Sequence, residues 1–301
     1  MSNRYPWPYL APVTVLEVIQ RSTEFLARKG VESPRLQVEL LLGHALHLPR
    51  LRLYLDFERK LNDVELEQVR ALVRRRGNRE PLQHIVGTTS FCGLEIGVNR
   101  DVLVPRPETE VLAEQAWTFL QSRLNEGLTA PAVLDFGTGS GCVALALAWK
   151  VPSARVWALD TSAVALAKAR ENATRLRFHD QIHFAESQGF VAVPPTQQFD
   201  LIVSNPPYIP SAEIKELAPE VRDHDPLLAL DGGPDGLDLF RQLASDASAF
   251  LAPRGQLMCE FGDNQAEAVQ ELFRKAFWEV RRIVSDLSGR PRILVAQRRE
   301  S

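Results

Sequence analysis

Cysteine is scarce: Cys92, Cys142 and Cys259 are the only three in 301 residues, too far apart for a paired metal motif or a disulfide framework. Free buried thiols in a reducing cytoplasm are the expectation. No apolar run approaches the roughly 18 residues of a membrane span, and Met1 to Pro12, with Pro6, Trp7, Pro8 and Tyr9, lacks the charged-then-apolar order of an export signal. A protein without membrane contacts follows. Charge of one sign is also missing: the net charge of -3 argues against a generic nucleic-acid binder, so no direct nucleic-acid binding is expected. There is no internal repeat and no low-complexity tract. What is present is an ordinary apolar share of 45%, enough for a sizeable core, in a length that suits two domains.

The pattern along the chain changes twice. From Val13 to about Gly77 apolar residues recur at helical spacing, with helix starts at Ser33-Pro34 and at Asn62, where Glu65 completes a capping box, and stops at Gly30 and Gly77. Residues 1–80 therefore read as a helical domain. The basic run Arg74-Arg75-Arg76 with Arg79 reads as a solvated last turn rather than a phosphate grip, since cations favour a helix C-terminus. Between 81 and 105, Gly-punctuated extended segments (His84-Ile85-Val86, Phe91 to Val98, Val102-Leu103-Val104) predict a β-hairpin connector. Residues 106–301 then alternate strand and helix, which predicts an α/β fold with a Rossmann-like, doubly wound sheet. Ligands of such sheets bind beyond the carboxyl ends of the strands.

Two motifs fall at such ends. After the strand Ala132-Val133-Leu134 comes Asp135-Phe136-Gly137-Thr138-Gly139-Ser140-Gly141 and then an Ala- and Leu-rich helix. Glycines let the backbone pass close to a ligand, and the helix start offers N–H groups to an anion. Asp160 ends the next strand, placed to accept from ribose hydroxyls. Gly137, Thr138, Gly139, Ser140, Gly141 and Asp160 thus form a candidate nucleoside cradle. A nicotinamide dehydrogenase would carry something close to it.

The second motif is Asn205-Pro206-Pro207-Tyr208, directly after Leu201-Ile202-Val203-Ser204. Asn205 supplies an amide oxygen, the prolines remove backbone donors and leave their neighbours' carbonyls free, and Tyr208 offers a flat face. Such a hook can hold an NH2 group. Hydride transfer has no use for it, whereas a methyl donor does: S-adenosylmethionine brings a nucleoside for Asp160, a carboxylate for the glycine turn and a sulfonium methyl for a trapped nitrogen.

With these motifs the chain resembles the class I S-adenosylmethionine-dependent methyltransferases that modify the glutamine of peptide chain release factors. The likeness covers nearly the whole chain. It includes Arg79 to Ile85 leading into Phe91, Val104 to Glu110, the glycine turn, the hook, Glu220-Val221-Arg222, and Pro226 to Leu230 through Gly236-Leu237. The resemblance implies that the cofactor is S-adenosylmethionine, held by Gly137 to Gly141, Asp160 and Asn205. It implies that Asn205, Pro206, Pro207 and Tyr208 hold the substrate glutamine, Asn205 and Pro206 acting in catalysis. It implies a monomer whose helical domain recognises a release factor through its Gly-Gly-Gln loop, with Phe91 and Arg106 to Thr109 helping to close the pocket. The chain departs from the family after its third strand, where Gln188-Gly189-Phe190 stands in place of the acidic or polar residue followed by an aromatic that the family places there for the adenine.

Other readings weigh less. Methylation of a ribosomal-protein glutamine is a close alternative; methylation of the adenine amine in nucleic acid would need a basic groove. A non-catalytic adaptor would have no need of the intact turn and hook. His179 and His183 lack the acid or cysteine neighbours of a metal site, and His84 and His224 read as structural. Glu260 and Asp263 end the fifth strand, as pocket lining or as helix caps.

Overall fold

The computed structural model describes residues 13–299, so the proline- and aromatic-rich start of the chain lies outside the described residues. The chain divides into two compact units. The first runs through Gly87 and takes back the short segment Ala218–His224; the second comprises Thr88–Leu217 and the chain from Asp225 onward.

The first unit is helical: α1 (Val15–Arg28), α2 (Pro34–Leu46), α3 (Arg50–Leu55), α4 (Asp63–Gly77) and α5 (Leu82–Val86). Thr14 with Glu17 and Asn62 with Glu65 form reciprocal capping boxes that satisfy the first amides of α1 and α4. Val18, Ile19, Leu26, Val38, Leu41, Leu42, Val69 and Val73 meet in its core. Segment 84–86 is helical, not extended as its β-branched residues imply. Pro81 opens the turn, Ile85 is buried, and Gly87 closes it at φ 85°. The arginine run is a solvated helix end only in part: Arg74 and Arg75 are exposed in the last turn of α4, while Arg76 and Arg79 are drawn into ion pairs. Arg76 is buried and donates to Gln37 and Glu220, Arg79 donates to both Glu220 oxygens, and Arg75 pairs with Glu80. Glu220, on the one-turn helix 219–222 of the returning segment, draws Arg76 and Arg79 inward.

The second unit opens with a hairpin, β1 (Thr88–Phe91) and β2 (Leu94–Gly97), followed by α6 (Pro107–Asn125). Residues 102–104 form no strand. Then come β3 (Ala132–Phe136), α7 (Cys142–Lys150), β4 (Arg155–Asp160), α8 (Ala163–Leu176), β5 (Ile182–Glu186) and β6 (Phe199–Ser204). After the 219–222 turn, α9 in sequence, follow α10 (Asp238–Asp246), β7 (Leu251–Glu260), α11 (Ala266–Lys275), β8 (Trp278–Ser285) and β9 (Pro291–Arg298).

The seven-stranded sheet has the order β5-β4-β3-β6-β7-β9-β8, parallel from β5 to β7 and antiparallel through β9 and β8. Its central strands are buried on both faces, which is why they read as continuous apolar runs. Leu201 and Val203 face a core shared with α6, α7 and the hairpin, while Ile202 faces α10 and α11. Chain order reverses between β3 and β6, and at that switch point the carboxyl ends of adjacent strands open a crevice. Among the described residues no helix is long and apolar enough to cross a membrane, and no cluster of His, Cys, Asp and Glu could hold a metal ion.

Candidate active site

A cavity of about 270 Å³ lies over the ends of β3, β4, β5 and β6, wholly within the second unit. Its floor is the glycine turn. Gly137, Gly139 and Gly141 have φ of 78°, 54° and 80°, a region costly for residues with a Cβ, so the motif's spacing is a backbone requirement. The turn is held from three directions. The Gly137 and Thr138 amides donate to the Leu159 carbonyl, the Gly139 amide donates to Asp160 Oδ2 at 2.8 Å, and Asn172 of α8 donates to the Ser140 carbonyl at 2.9 Å. Asn172 also exchanges two hydrogen bonds with Gly97, tying the hairpin to the same turn. The amides of Ser140 and Cys142 find no acceptor among the described residues, and both residues line the cavity.

Asp160 serves the backbone as well as the crevice, since its other oxygen accepts from the Ser162 amide at 2.9 Å. Burial raises its pKa against these hydrogen bonds. Asp135, whose place at the start of the motif does not by itself mark it as a site residue, is a wall of the cavity. Its carboxyl accepts from Thr138 Oγ1 at 2.7 Å and the Ala144 amide at 3.0 Å, and burial pushes it up to about 7. A ligand's cationic group would find a counter-charge there.

Asn205 and Pro207 line the cavity; Pro206 is buried beneath them, and no donor among the described residues reaches its carbonyl. Tyr208 packs its ring against Gly262, and its carbonyl is taken by Gln265 at 2.8 Å. Ser204 fixes the start of the hook by donating to the Phe136 carbonyl at 2.7 Å.

Behind the hook lies a chain of three side chains. Asn205 Nδ2 donates to Thr109 Oγ1 at 2.9 Å, and Thr109 Oγ1 donates to Glu260 Oε2 at 2.8 Å. Tyr208 is a further hydrogen-bond partner of the same carboxyl. Burial lifts Glu260 to about 7, although these bonds pull the other way. An ionised Glu260 only accepts, so Thr109 must donate to it and accept from Asn205. One N–H of the amide is thereby committed, the amide's orientation is fixed, and Oδ1 is left as the acceptor for a ligand.

Arg106 lines the cavity and pairs with buried Asp225 at 2.6 Å, beside the lining residues Pro226, Leu228 and Ala229. Thr109 lines it too, whereas Phe91 is buried in the core. Phe190 turns away: it stacks on Phe250 at 4.7 Å and lies 4.8 Å from Phe136. His183 packs on Trp157, and Asp263 pairs with Arg292, so neither belongs to the site.

Two family models match the chain: the PrmC N-terminal domain over residues 17–87 and the Methyltransferase small domain over residues 113–220. The chain is 46% identical to the release factor glutamine methyltransferase of Geobacter sulfurreducens, over 87% of this chain and 89% of that one. It is 38% identical to the protein of the same name from Rhodopirellula baltica, over 99% and 98% of the two chains. Among solved structures, the hMettl16 catalytic domain in complex with MAT2A 3'UTR hairpin 6 matches with a TM-score of 0.53 at 14% identity, covering 80% of this chain and 84% of that one, a likeness of fold alone. The seven-stranded methyltransferase sheet, the helical region before it and these relatives together make the chain an enzyme of the release factor glutamine methyltransferase family.

Proposed function

We propose that this chain transfers a methyl group from S-adenosylmethionine to the side-chain amide nitrogen of the glutamine in the Gly-Gly-Gln motif of peptide chain release factors. The observation that carries the reading is the commitment of Asn205 Nδ2 to Thr109, which leaves Oδ1 as an acceptor beside the cavity.

The residues present fit the methyl donor. Asp160 retains lone pairs for ribose hydroxyls, the Ser140 and Cys142 amides suit a carboxylate, and Asp135 suits an ammonium group. When bound, the cofactor supplies a methyl group activated by attachment to a sulfonium.

The protein's own task is positional. A carboxamide nitrogen is a poor nucleophile because its lone pair is delocalised into the carbonyl. Asn205 Oδ1 and the unclaimed Pro206 carbonyl accept its two N–H hydrogens, which orients the nitrogen and stabilises the positive charge it gains as the methyl leaves sulfur, until one of these hydrogens departs as a proton. Holding of this kind supplies up to roughly 7–11 kcal/mol in favourable cases. A net charge of -3 supports a protein substrate over nucleic acid, and the three free cysteines support a cytoplasmic setting.

The test is incubation with methyl-labelled cofactor and a purified release factor, followed by peptide mass analysis. One added methyl on the Gly-Gly-Gln glutamine is the expected result. Asn205→Ala is expected to lower kcat about 10²- to 10³-fold with little change in S-adenosylhomocysteine affinity. Label appearing instead in a ribosomal-protein glutamine or in adenine amines would overturn the substrate assignment.

A further inference from the structure

The ends of the parallel strands set the order of side chains across the crevice: Ser187 after β5, Asp160 on β4, Gly137 after β3 and Asn205 after β6. Adjacent strands lie roughly 4.8 Å apart, so about 14 Å separates the β5 end from the β6 end. With ribose at Asp160 and the reacting group beside Asn205, the base of the nucleoside falls toward β5. There the cavity is lined by Leu159, Ala165, Ser187, Gly189, Leu239 and Gln242.

Only one of these side chains has polar groups to spare. The Ser187 hydroxyl is spent, donating to the Gly189 carbonyl at 2.8 Å and accepting from the Ala192 amide at 3.1 Å. The carboxamide of Gln242, half-buried on α10, has no hydrogen-bond partner among the described residues. Its position depends on Gly189. A Cβ there would fall 2.2 Å from Gln242 Nε2, and the backbone, at φ 63°, is one that residues with a Cβ rarely adopt. The glycine that breaks the pattern expected after β5 is thus the opening through which a side chain from α10 reaches the cavity.

We propose that Gln242 reads the base of the cofactor, its carboxamide oxygen accepting from the exocyclic amine of adenine and its NH2 donating to the neighbouring ring nitrogen. A primary amide presents the donor and acceptor side by side that this edge requires. The inference rests on the methyl-donor reading above and adds the residue that selects adenine.

The experiment is calorimetric titration of the ligand-free protein with S-adenosylhomocysteine and with the analogue whose purine lacks the 6-amino group. The native protein is expected to bind the analogue about tenfold more weakly, the size of one lost hydrogen bond. Gln242→Leu is expected to bind S-adenosylhomocysteine about tenfold more weakly and to bind the two ligands equally within about twofold; Gln242→Met should behave alike. Each ratio is measured within one preparation, so a reduced folded fraction leaves it unchanged. Retention of the native ratio by both variants overturns the role of Gln242 while leaving the methyl-donor reading intact. Failure of the native protein to bind either ligand overturns both.

Discussion

Glu260 is the residue on which the hook's chemistry turns. Its carboxyl is nearly fully buried, and the loss of water raises its pKa to about 7 despite hydrogen bonds from Thr109 and Tyr208. Protonated, it can donate to Thr109, which is then free to donate toward Asn205 and turn the amide round. Ionised, it can only accept, and the amide oxygen stays available to substrate. Turnover is therefore expected to rise with pH through about 7 and to level off above it. In Glu260→Gln the step should shrink to the part that Asp135, also pushed up to about 7 in the same cavity, contributes, a change that a structural role alone would not produce. Thr109→Val should lower kcat about tenfold, for one lost hydrogen bond, and leave S-adenosylhomocysteine affinity unchanged. A pH–rate profile of the native enzyme identical to that of Glu260→Gln would sink the account. The sequence displays the hook and the glycine turn because each is contiguous and sits where a strand must end. It does not display the relay, since Thr109 lies 96 residues from Asn205 and 151 from Glu260.

At the scale of elements, the strands of the sheet were legible because β3 and β6 are buried on both faces and so read as short unbroken apolar runs. Segment 84–86 was not, because a five-residue helix is too short to show a period and its β-branched residues mimic a strand. The loop after β5 carries a similar ambiguity, since an aromatic residue next to a nucleoside cavity reads equally as ligand stack or as core. Geometry decides for the core. The Phe190 ring stacks on Phe250 with an interplanar angle of 8°, and it is not part of the cavity lining. Phe190→Ala should cost about 3–5 kcal/mol in denaturant unfolding. The variant's affinity for S-adenosylhomocysteine at low temperature should stay within about twofold of native. A variant with native stability and binding weakened tenfold or more would show that the ring serves the ligand.

At the scale of the whole molecule, the chain does not pass once from one unit to the other. It leaves the second unit after Leu217, packs Ala218–His224 into the first, and returns at Asp225, just before the cavity-lining residues Pro226, Leu228 and Ala229. The fastening is Glu220, whose carboxylate receives Arg76 at 2.7 Å and Arg79 at 2.6 Å, with the Arg76 side chain only 4% exposed. Burial alone would raise the Glu220 pKa; the hydrogen bonds from Arg79 and Arg76 outweigh it and hold the carboxyl down at about 2. A carboxyl depressed in the folded state stabilises fully above its unfolded pKa, near 4.5, and the contribution is lost as pH falls through about 2. Acid unfolding of the helical unit, followed by circular dichroism between pH 5 and 2, should therefore contain a component that Glu220→Gln removes. At neutral pH the same variant leaves Arg76 buried without its anion and should lose about 3 kcal/mol. Sequence separation hid this contact too, for the arginine run and its acid lie 144 residues apart. Equal stability of the native protein and Glu220→Gln at pH 7, with superimposable acid transitions, would mean that packing of apolar side chains rather than this ion pair holds the returning segment.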